Sequence, residues 1–312
     1  MLNEHSVKVS VCCPVYNHKD YIENCLKGIL MQQTSFEFEV IVHDDVSTDG
    51  TSEILDGYHK KYPDKIRIVR PQANRYSKGD RALVTTYLLP LARGEYIALC
   101  EGDDYWIDPF KLQKQIDILD GNYNCSVCIH ASRVVEKGKR TKVYRVYRSD
   151  SIVPFESIIR WRHNMCQTAT IVYRKEYLSE YPQFCLNCHV GDYPLMLWLA
   201  LRGEVYYMSD IMSVYCRGDP ASWTARYQKE SIEQRLTMLQ TELNMLDGFD
   251  EITDRLYADH IGRKKRKLMI YTLWRYRDMK RLKDADLSCL FKLFPFYKAL
   301  HIYFKVYLSR SN

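Results

Sequence analysis

A chain of 312 residues, 46% hydrophobic and 27% charged, has the make-up of a packed globular protein with room for one large unit or two fused lobes. Its 45 basic and 39 acidic residues leave a formal charge of +6, too mild an excess to make nucleic acid the partner, and 11 Cys in so long a chain do not fit a small disulfide scaffold. No stretch of about 18 residues stays apolar, and the start, Met1 to Lys8, lacks the parts of a secretory signal, so the expectation is a cytoplasmic protein whose thiols are mostly buried.

In chain order, Val9 to Val15 reads as a buried strand, and Tyr21 to Met31 places Ile22, Cys25, Leu26, Ile29 and Leu30 on one helical face. Phe38 to His43 is a second strand, and Asp49 or a neighbour caps a helix from about Thr51 to Tyr58. Ile66 to Val69 reads as a third strand, Arg81 to Leu91 as a helix and Tyr96 to Cys100 as a fourth strand. This alternation predicts an α/β protein with a mostly parallel sheet and helices on both faces. From about residue 125 the pattern loosens, with strands expected at Ser126 to Val134, Lys142 to Tyr147 and Ala169 to Tyr173, and an apolar helix at Tyr193 to Leu201. Helices follow at Ile232 to Leu246 and Ile261 to Leu282, and Pro295 interrupts the last segment.

Polar turns follow three of the strands: Pro14-Val15-Tyr16-Asn17, Asp44-Asp45-Val46-Ser47 and Glu101-Gly102-Asp103-Asp104. Ligands of open α/β sheets bind at the carboxyl edge, so the three turns are expected to converge on one crevice. Three carboxylates within four positions repel one another unless a cation neutralises them, and oxygen ligands suit Mg²⁺ or Mn²⁺. The competing explanation of such a cluster is a solvated turn or a helix cap. In the second turn an Asp can accept from a base imide or a ribose hydroxyl, while Asp49 or Ser47 alternatively caps the next helix.

Pro14-Val15-Tyr16-Asn17-His18, Asp44-Asp45-Val46-Ser47-Thr48-Asp49-Gly50-Thr51, Gly94-Glu95-Tyr96-Ile97 and Glu101-Gly102-Asp103-Asp104-Tyr105-Trp106 occur in this order. Together they resemble a family 2 glycosyltransferase over roughly residues 7 to 217, most strongly over the first 115. The resemblance implies a GT-A fold, a nucleoside-diphosphate sugar as donor, uridine-based by the match at Asp45, a divalent metal, and inversion at the anomeric carbon. It implies base contacts at Pro14, Tyr16 and Asp45, with Asn17 and Ser47 in the same donor-binding turns. Asp103 would face the ribose or the metal, and Asp104 the metal. Arg81 falls near a family Arg on the diphosphate, although Asp80-Arg81-Ala82-Leu83 departs from the family's Ala-Arg-Asn pattern. Gly191-Asp192-Tyr193-Pro194-Leu195 matches the start of the helix that carries the family's general base, which assigns that role to Asp192; a lone Asp in this place is otherwise a helix cap. Arg217, Ser222 and Trp223 lie in a segment similar to the one that closes over the donor. The looser pattern from about residue 125 and the helical composition beyond Arg226, read with the resemblance, divide the chain into a nucleotide-sugar-binding half (1–120), an acceptor-binding half (121–225) and a helical extension (226–312); the expected acceptor is a glycan or lipid-linked glycan of cell-surface polysaccharide synthesis.

Cys125-x-x-Cys128 and Cys185-x-x-Cys188 next to His189 invite a zinc reading, but residues three apart in a strand point to opposite faces, and buried thiols explain them better. The stretch Leu290 to Arg310 mixes bulky apolar residues with Lys and Arg. It suits a peripheral anchor on anionic lipid at the inner face of a membrane, or equally a helix packed on this chain or on a second copy in a homodimer. Two other functions would also use an α/β sheet with an acidic site. A sugar-nucleotide pyrophosphorylase requires an N-terminal Gly-rich loop followed by Arg and Lys, which is not there; a non-catalytic nucleotide-sugar binder has no use for Asp103, Asp104 and Asp192 together.

Overall fold

The computed structural model describes residues 6–136, 139–160, 166–218, 222, 227, 229–285, 287 and 290–310. The chain divides into two units, Met1–Pro182 with Val190–Arg226, and Gln183–His189 with Tyr227–Asn312.

The first unit is built on a ten-stranded sheet. β1 (Val9–Val15) is flanked by two parallel neighbours, β2 (Phe38–Asp44) and β4 (Tyr96–Leu99), and β3 (Ile66–Val69) extends the parallel run beyond β2. A strand covered on both faces has no need to alternate, which is why Val-Ser-Val-Cys-Cys-Pro-Val and Phe-Glu-Val-Ile-Val-His-Asp read as near-continuous runs. α1 (Ile22–Leu30) and α2 (Thr51–Lys61) return the chain between these strands. After β5 (Tyr105–Trp106) and α3 (Lys111–Gly121) come β6 (Cys125–Glu136), β7 (Lys139–Tyr144), β8 (Ser151–Val153) and α4 (Phe155–Arg160). β9 (Val172–Arg174) is the antiparallel member between β4 and β6, and β10 (Glu204–Arg217) runs parallel to β6. The main order is β3-β2-β1-β4-β9-β6-β10-β5, a mostly parallel sheet with helices.

In the second unit, α5 (Gln183–Leu186) sets Phe184 edge-on against Phe249 of α7 (Ile232–Ile252) at 5.3 Å between ring centroids. Ser231 and Gln234 close a capping box at the start of α7, the reciprocal hydrogen bonds that fix a helix entry. α8 (Ala258–Arg275), α9 (Met279–Asp284), α10 (Leu290–Leu293) and α11 (Phe296–Arg310) share an apolar cluster of Ile270, Leu273, Leu282, Leu290, Ala299 and Ile302 among others. No described helix is long and apolar enough to cross a membrane.

Several elements depart from the sequence reading. The helix expected at Arg81 to Leu91 is only a π turn, Val84–Leu88, and a 3-10 turn, Leu89–Leu91. Pro90 lacks the N–H for an α-helical bond and its ring crowds the carbonyl four residues back, so the turn widens. The strand expected at Lys142 to Tyr147 lies at Lys139–Tyr144, and Ala169 to Tyr173 is a 3-10 turn over Thr168–Thr170 followed by β9. The long helix expected from Ile261 to Leu282 breaks after Arg275: Arg277 takes φ +57°, and the Asp278 carboxylate caps α9 by accepting the Arg281 N–H.

α3 escaped the sequence reading because its buried face, Lys111, Leu112, Gln115, Ile116 and Leu119, includes a cation and an amide. The Lys111 ammonium is fully buried, lies 4.0 Å from the Trp106 ring centroid, and has no hydrogen-bond partner among the described residues. Burial outweighs the attraction of the Cys100 and Cys128 thiols and lowers its pKa from 10.5 to about 7. Between these values the unfolded chain binds the extra proton, so stability rises with pH through this window and the penalty is greatest below it. Lys111→Met is therefore expected to stabilise the protein at pH 6 by roughly 1–4 kcal/mol, the scale on which apolar replacement of buried charge acts. Melting curves should show the advantage over the parent shrinking as pH rises toward 10; an unstable variant, or an advantage indifferent to pH, would refute the burial penalty.

Candidate active site

At the carboxyl edge the three polar turns are bound together by backbone. The Val15 carbonyl accepts the Asp45 N–H at 2.9 Å, and the Pro14 carbonyl accepts the Gly102 N–H at 3.0 Å. Gly102 is required there: a Cβ would come within 2.8 Å of both the His18 ring and the Val15 side chain. Asn17, in the left-handed region at φ +55°, donates its N–H to Ser47 Oγ at 3.0 Å and accepts the Thr48 N–H on Oδ1 at 2.8 Å. Asn17 and Ser47 thus join the first turn to the second. Pro14 and Tyr16 are half-buried beside them. Asp49 accepts from both the N–H and the hydroxyl of Thr51 at the start of α2, but the N-cap is Gly50 at φ +102°, so neither Asp49 nor Ser47 is the capping residue.

The two adjacent acids of the second turn have separate tasks. Asp44 is fully buried and accepts from the Ser47 N–H, the Ser52 hydroxyl and Arg70 Nε. Burial alone would raise its pKa, but these bonds outweigh it and hold the carboxylate below its ordinary range. Asp45 turns the other way and accepts the N–H groups of Arg75 at 2.7 Å and Tyr76 at 3.0 Å, one on each oxygen. The Arg81 guanidinium donates to the Tyr76 carbonyl at 2.5 Å and lies 4.0 Å over the Tyr76 ring. The Arg81 carbonyl in turn is 3.7 Å from where a Cβ on Gly191 would stand, at the start of α6 (Asp192–Arg202). The 75–81 loop thus meets Asp45 through its backbone at one end and lies beside Gly191, the residue before Asp192, at the other. Sequence reasoning missed Asp44, Arg75 and Tyr76; the first was in view as half of an Asp-Asp pair, whereas nothing in the local pattern marks the other two.

The third turn concentrates negative charge. Asp104 is 1% exposed; its Oδ1 accepts the Cys216 N–H at 2.9 Å, and its Oδ2 has no partner among the described residues. Antiparallel pairing of β5 with β10, Trp106 opposite Ser213, brings Cys216 and Arg217 alongside this loop. Burial, then Asp103, then Glu101 push the Asp104 carboxyl well above its usual range. Burial, Asp103 and Asp192 push Glu101 up to about 8 against a hydrogen bond from Thr168. The Asp192 carboxylate, whose Oδ1 accepts the neighbouring Tyr193 N–H at 2.8 Å, thus lies within the field of the acidic loop. An orphaned buried carboxylate oxygen amid like charges is a donor set suited to a hard divalent cation. Among the described residues no group of three or more His, Cys, Asp or Glu side chains encloses a cation by itself. Trp223 lies outside the described residues. Cys125, Cys128, Cys185 and Cys188 are buried thiols, the first pair in β6 and the second in the helical unit.

The mostly parallel sheet with its acidic loop at the carboxyl edge has the fold of GT-A glycosyltransferases. The chain matches "Glycosyl transferase family 2" over residues 10–182 and belongs to that family. An uncharacterized protein of Mycobacterium tuberculosis (strain ATCC 25618 / H37Rv) is 34% identical over 220 residues, 70% of this chain and 61% of the relative, so the chain spans about three fifths of its length. The UDP-Glc:alpha-D-GlcNAc-diphosphoundecaprenol beta-1,3-glucosyltransferase WfaP of Escherichia coli is 26% identical over 72% of this chain and 83% of its own. Among solved structures, S. aureus TarS 1-349 in complex with UDP-GlcNAc superposes with a TM-score of 0.66 at 19% identity, covering 91% of this chain and 81% of that one. The mannosyltransferase PcManGT of Pyrobaculum calidifontis, in complex with GDP-Man and Mn²⁺, gives 0.56 at 17% identity over 97% and 80%. These superpositions share the fold.

Proposed function

We propose that the chain is a metal-dependent, inverting glycosyltransferase that uses a UDP-sugar to extend a glycan or lipid-linked glycan in cell-surface polysaccharide synthesis, at the inner face of a membrane. The observation that carries the reading is the unpartnered Asp104 Oδ2 in a buried acidic loop, with Asp192 in the same field. The substrates named for WfaP and TarS favour a uridine donor, and WfaP a lipid-diphosphate acceptor.

In this reading residues 1–120 hold the donor, 121–225 the acceptor, and 226–312 form a helical extension. Pro14 and Tyr16 border the base, Asp45 accepts from it or positions the 75–81 loop beside it, and Asn17 and Ser47 hold the two turns in register. Asp103 serves the ribose or the metal, and Asp104 the metal. Arg81 serves the diphosphate, and Arg217, Ser222 and Trp223 belong to the segment that closes over the donor. A bound Mn²⁺ or Mg²⁺ neutralises charge on the departing diphosphate. Asp192 takes the proton from the acceptor hydroxyl as its oxygen bonds to the anomeric carbon; the bond from that carbon to the diphosphate oxygen breaks, and the electron pair leaves with the nucleotide.

The test is a melting-temperature panel of nucleotide sugars with and without Mn²⁺, followed by turnover on glycan acceptors. A specific donor at a hundred times its Kd adds about 2.7 kcal/mol to stability. A UDP-sugar should stabilise only with Mn²⁺, and UDP should appear in step with glycosylated acceptor. Diphosphate release from a nucleoside triphosphate, or donor binding without turnover on any acceptor, would overturn the reading.

A further inference from the structure

α11 carries both a buried and an exposed apolar stripe. Ala299, Ile302 and Val306 are buried in the helical unit's core, whereas Phe296 and Tyr297, and one heptad on Tyr303 and Phe304, face outward. Phe296 and Tyr297 are 71% and 75% exposed. Phe291 of α10 extends the outer stripe, its ring centroid 5.9 Å from Phe296 and 6.4 Å from Tyr303. Five large aromatics contiguous on a surface mark a site of docking rather than scattered exposure.

The charge beside this stripe decides its occupant. Residues 290–306, which carry it, contain three Lys and no Asp or Glu. Lys292 is exposed between Phe291 and Leu293, and Lys305 follows Phe304. A two-fold dimer through this face would set like charges against one another. An anionic bilayer surface complements them, accepts aromatic rings at headgroup depth, and lets Lys stems reach along apolar surface to the phosphates.

We propose that the outer face of α10 and α11 is a docking surface for a bilayer carrying anionic headgroups, seating the helical unit in the interface without spanning it. This rests on the membrane placement above and adds the face that meets the lipid. The full chain, with neither donor nor acceptor present, should sediment with vesicles of phosphatidylcholine mixed with phosphatidylglycerol at least about tenfold more than with phosphatidylcholine alone, and high salt should release it. The triple variant Phe296→Ser, Tyr297→Ser, Phe304→Ser should lose about tenfold in binding with parental helicity and melting temperature, because these side chains are exposed. Lys292→Glu should weaken binding to the anionic vesicles alone. Equal binding by the triple variant, no binding to the mixed vesicles, or self-association that the triple variant abolishes while vesicles stay unbound would each overturn the proposal. Since no nucleotide sugar enters the assay, these failures leave the transferase reading untouched.

Discussion

Asp104→Asn is expected to lower metal-stimulated sugar transfer about 10²–10³-fold, the scale of losing one fixed group that stabilises developing charge, while leaving the metal-free protein as stable as the parent or more so. The two halves follow from one fact. In the absence of a cation, burial, then Asp103 and Glu101, push the Asp104 carboxyl well above its usual range, so its charged form is a burden on the fold. Asn keeps the shape and an oxygen for the Cys216 N–H, which Asp104 Oδ1 now accepts, but brings no charge to the cation. Asp104→Ala is a poorer probe because it strands that N–H in the interior. Transfer assays across a Mn²⁺ titration, with melting curves on the same samples, read both effects. Undiminished transfer by Asp104→Asn at saturating metal would show that the acidic loop does not hold the ion.

The sequence carried the parallel half of the sheet well because strands buried on both faces announce themselves as apolar runs, as Val9–Val15 and Phe38–Asp44 do. It carried the convergence of the three turns for a topological reason: parallel strands place all their carboxyl ends on one edge. It failed where a local rule was broken for a tertiary purpose. Lys111 and Gln115 hide the buried face of α3, and Pro90 turns an apparent helix into a widened turn. The site was legible in its carboxylates and not in their partners. Asp45 stands out in an Asp-Asp pair, but its hold on the Arg75 and Tyr76 N–H groups comes from backbone thirty residues away and has no residue code. The paired aromatics of α11 were visible as composition, but only burial of Ala299, Ile302 and Val306 separates an outer stripe from an inner one.

Asp192→Asn is expected to cut kcat by about 10²–10⁴-fold, the usual worth of a positioned proton acceptor, with the affinity for UDP and Mn²⁺ unchanged. The substitution keeps an oxygen for the Tyr193 N–H, which Asp192 Oδ1 accepts at 2.8 Å, so the entry to α6 should survive. Gly191, not Asp192, is the N-cap of α6; were Asp192 only the acceptor of the Tyr193 N–H, Asn would substitute without loss of rate, and the comparison therefore separates structure from chemistry. Removing the Asp192 charge also removes one of the influences that raise Glu101, after burial and Asp103. Glu101 in the variant should ionise at lower pH, which NMR titration of its side chain can follow while the rate is measured. A lowered rate together with that shift ties Asp192 both to the acceptor and to the acidic loop. A rate within a few-fold of the parent would move the proton acceptor to another carboxylate, and the shift in Glu101 alone would then mark Asp192 as a neighbour of the site rather than a participant.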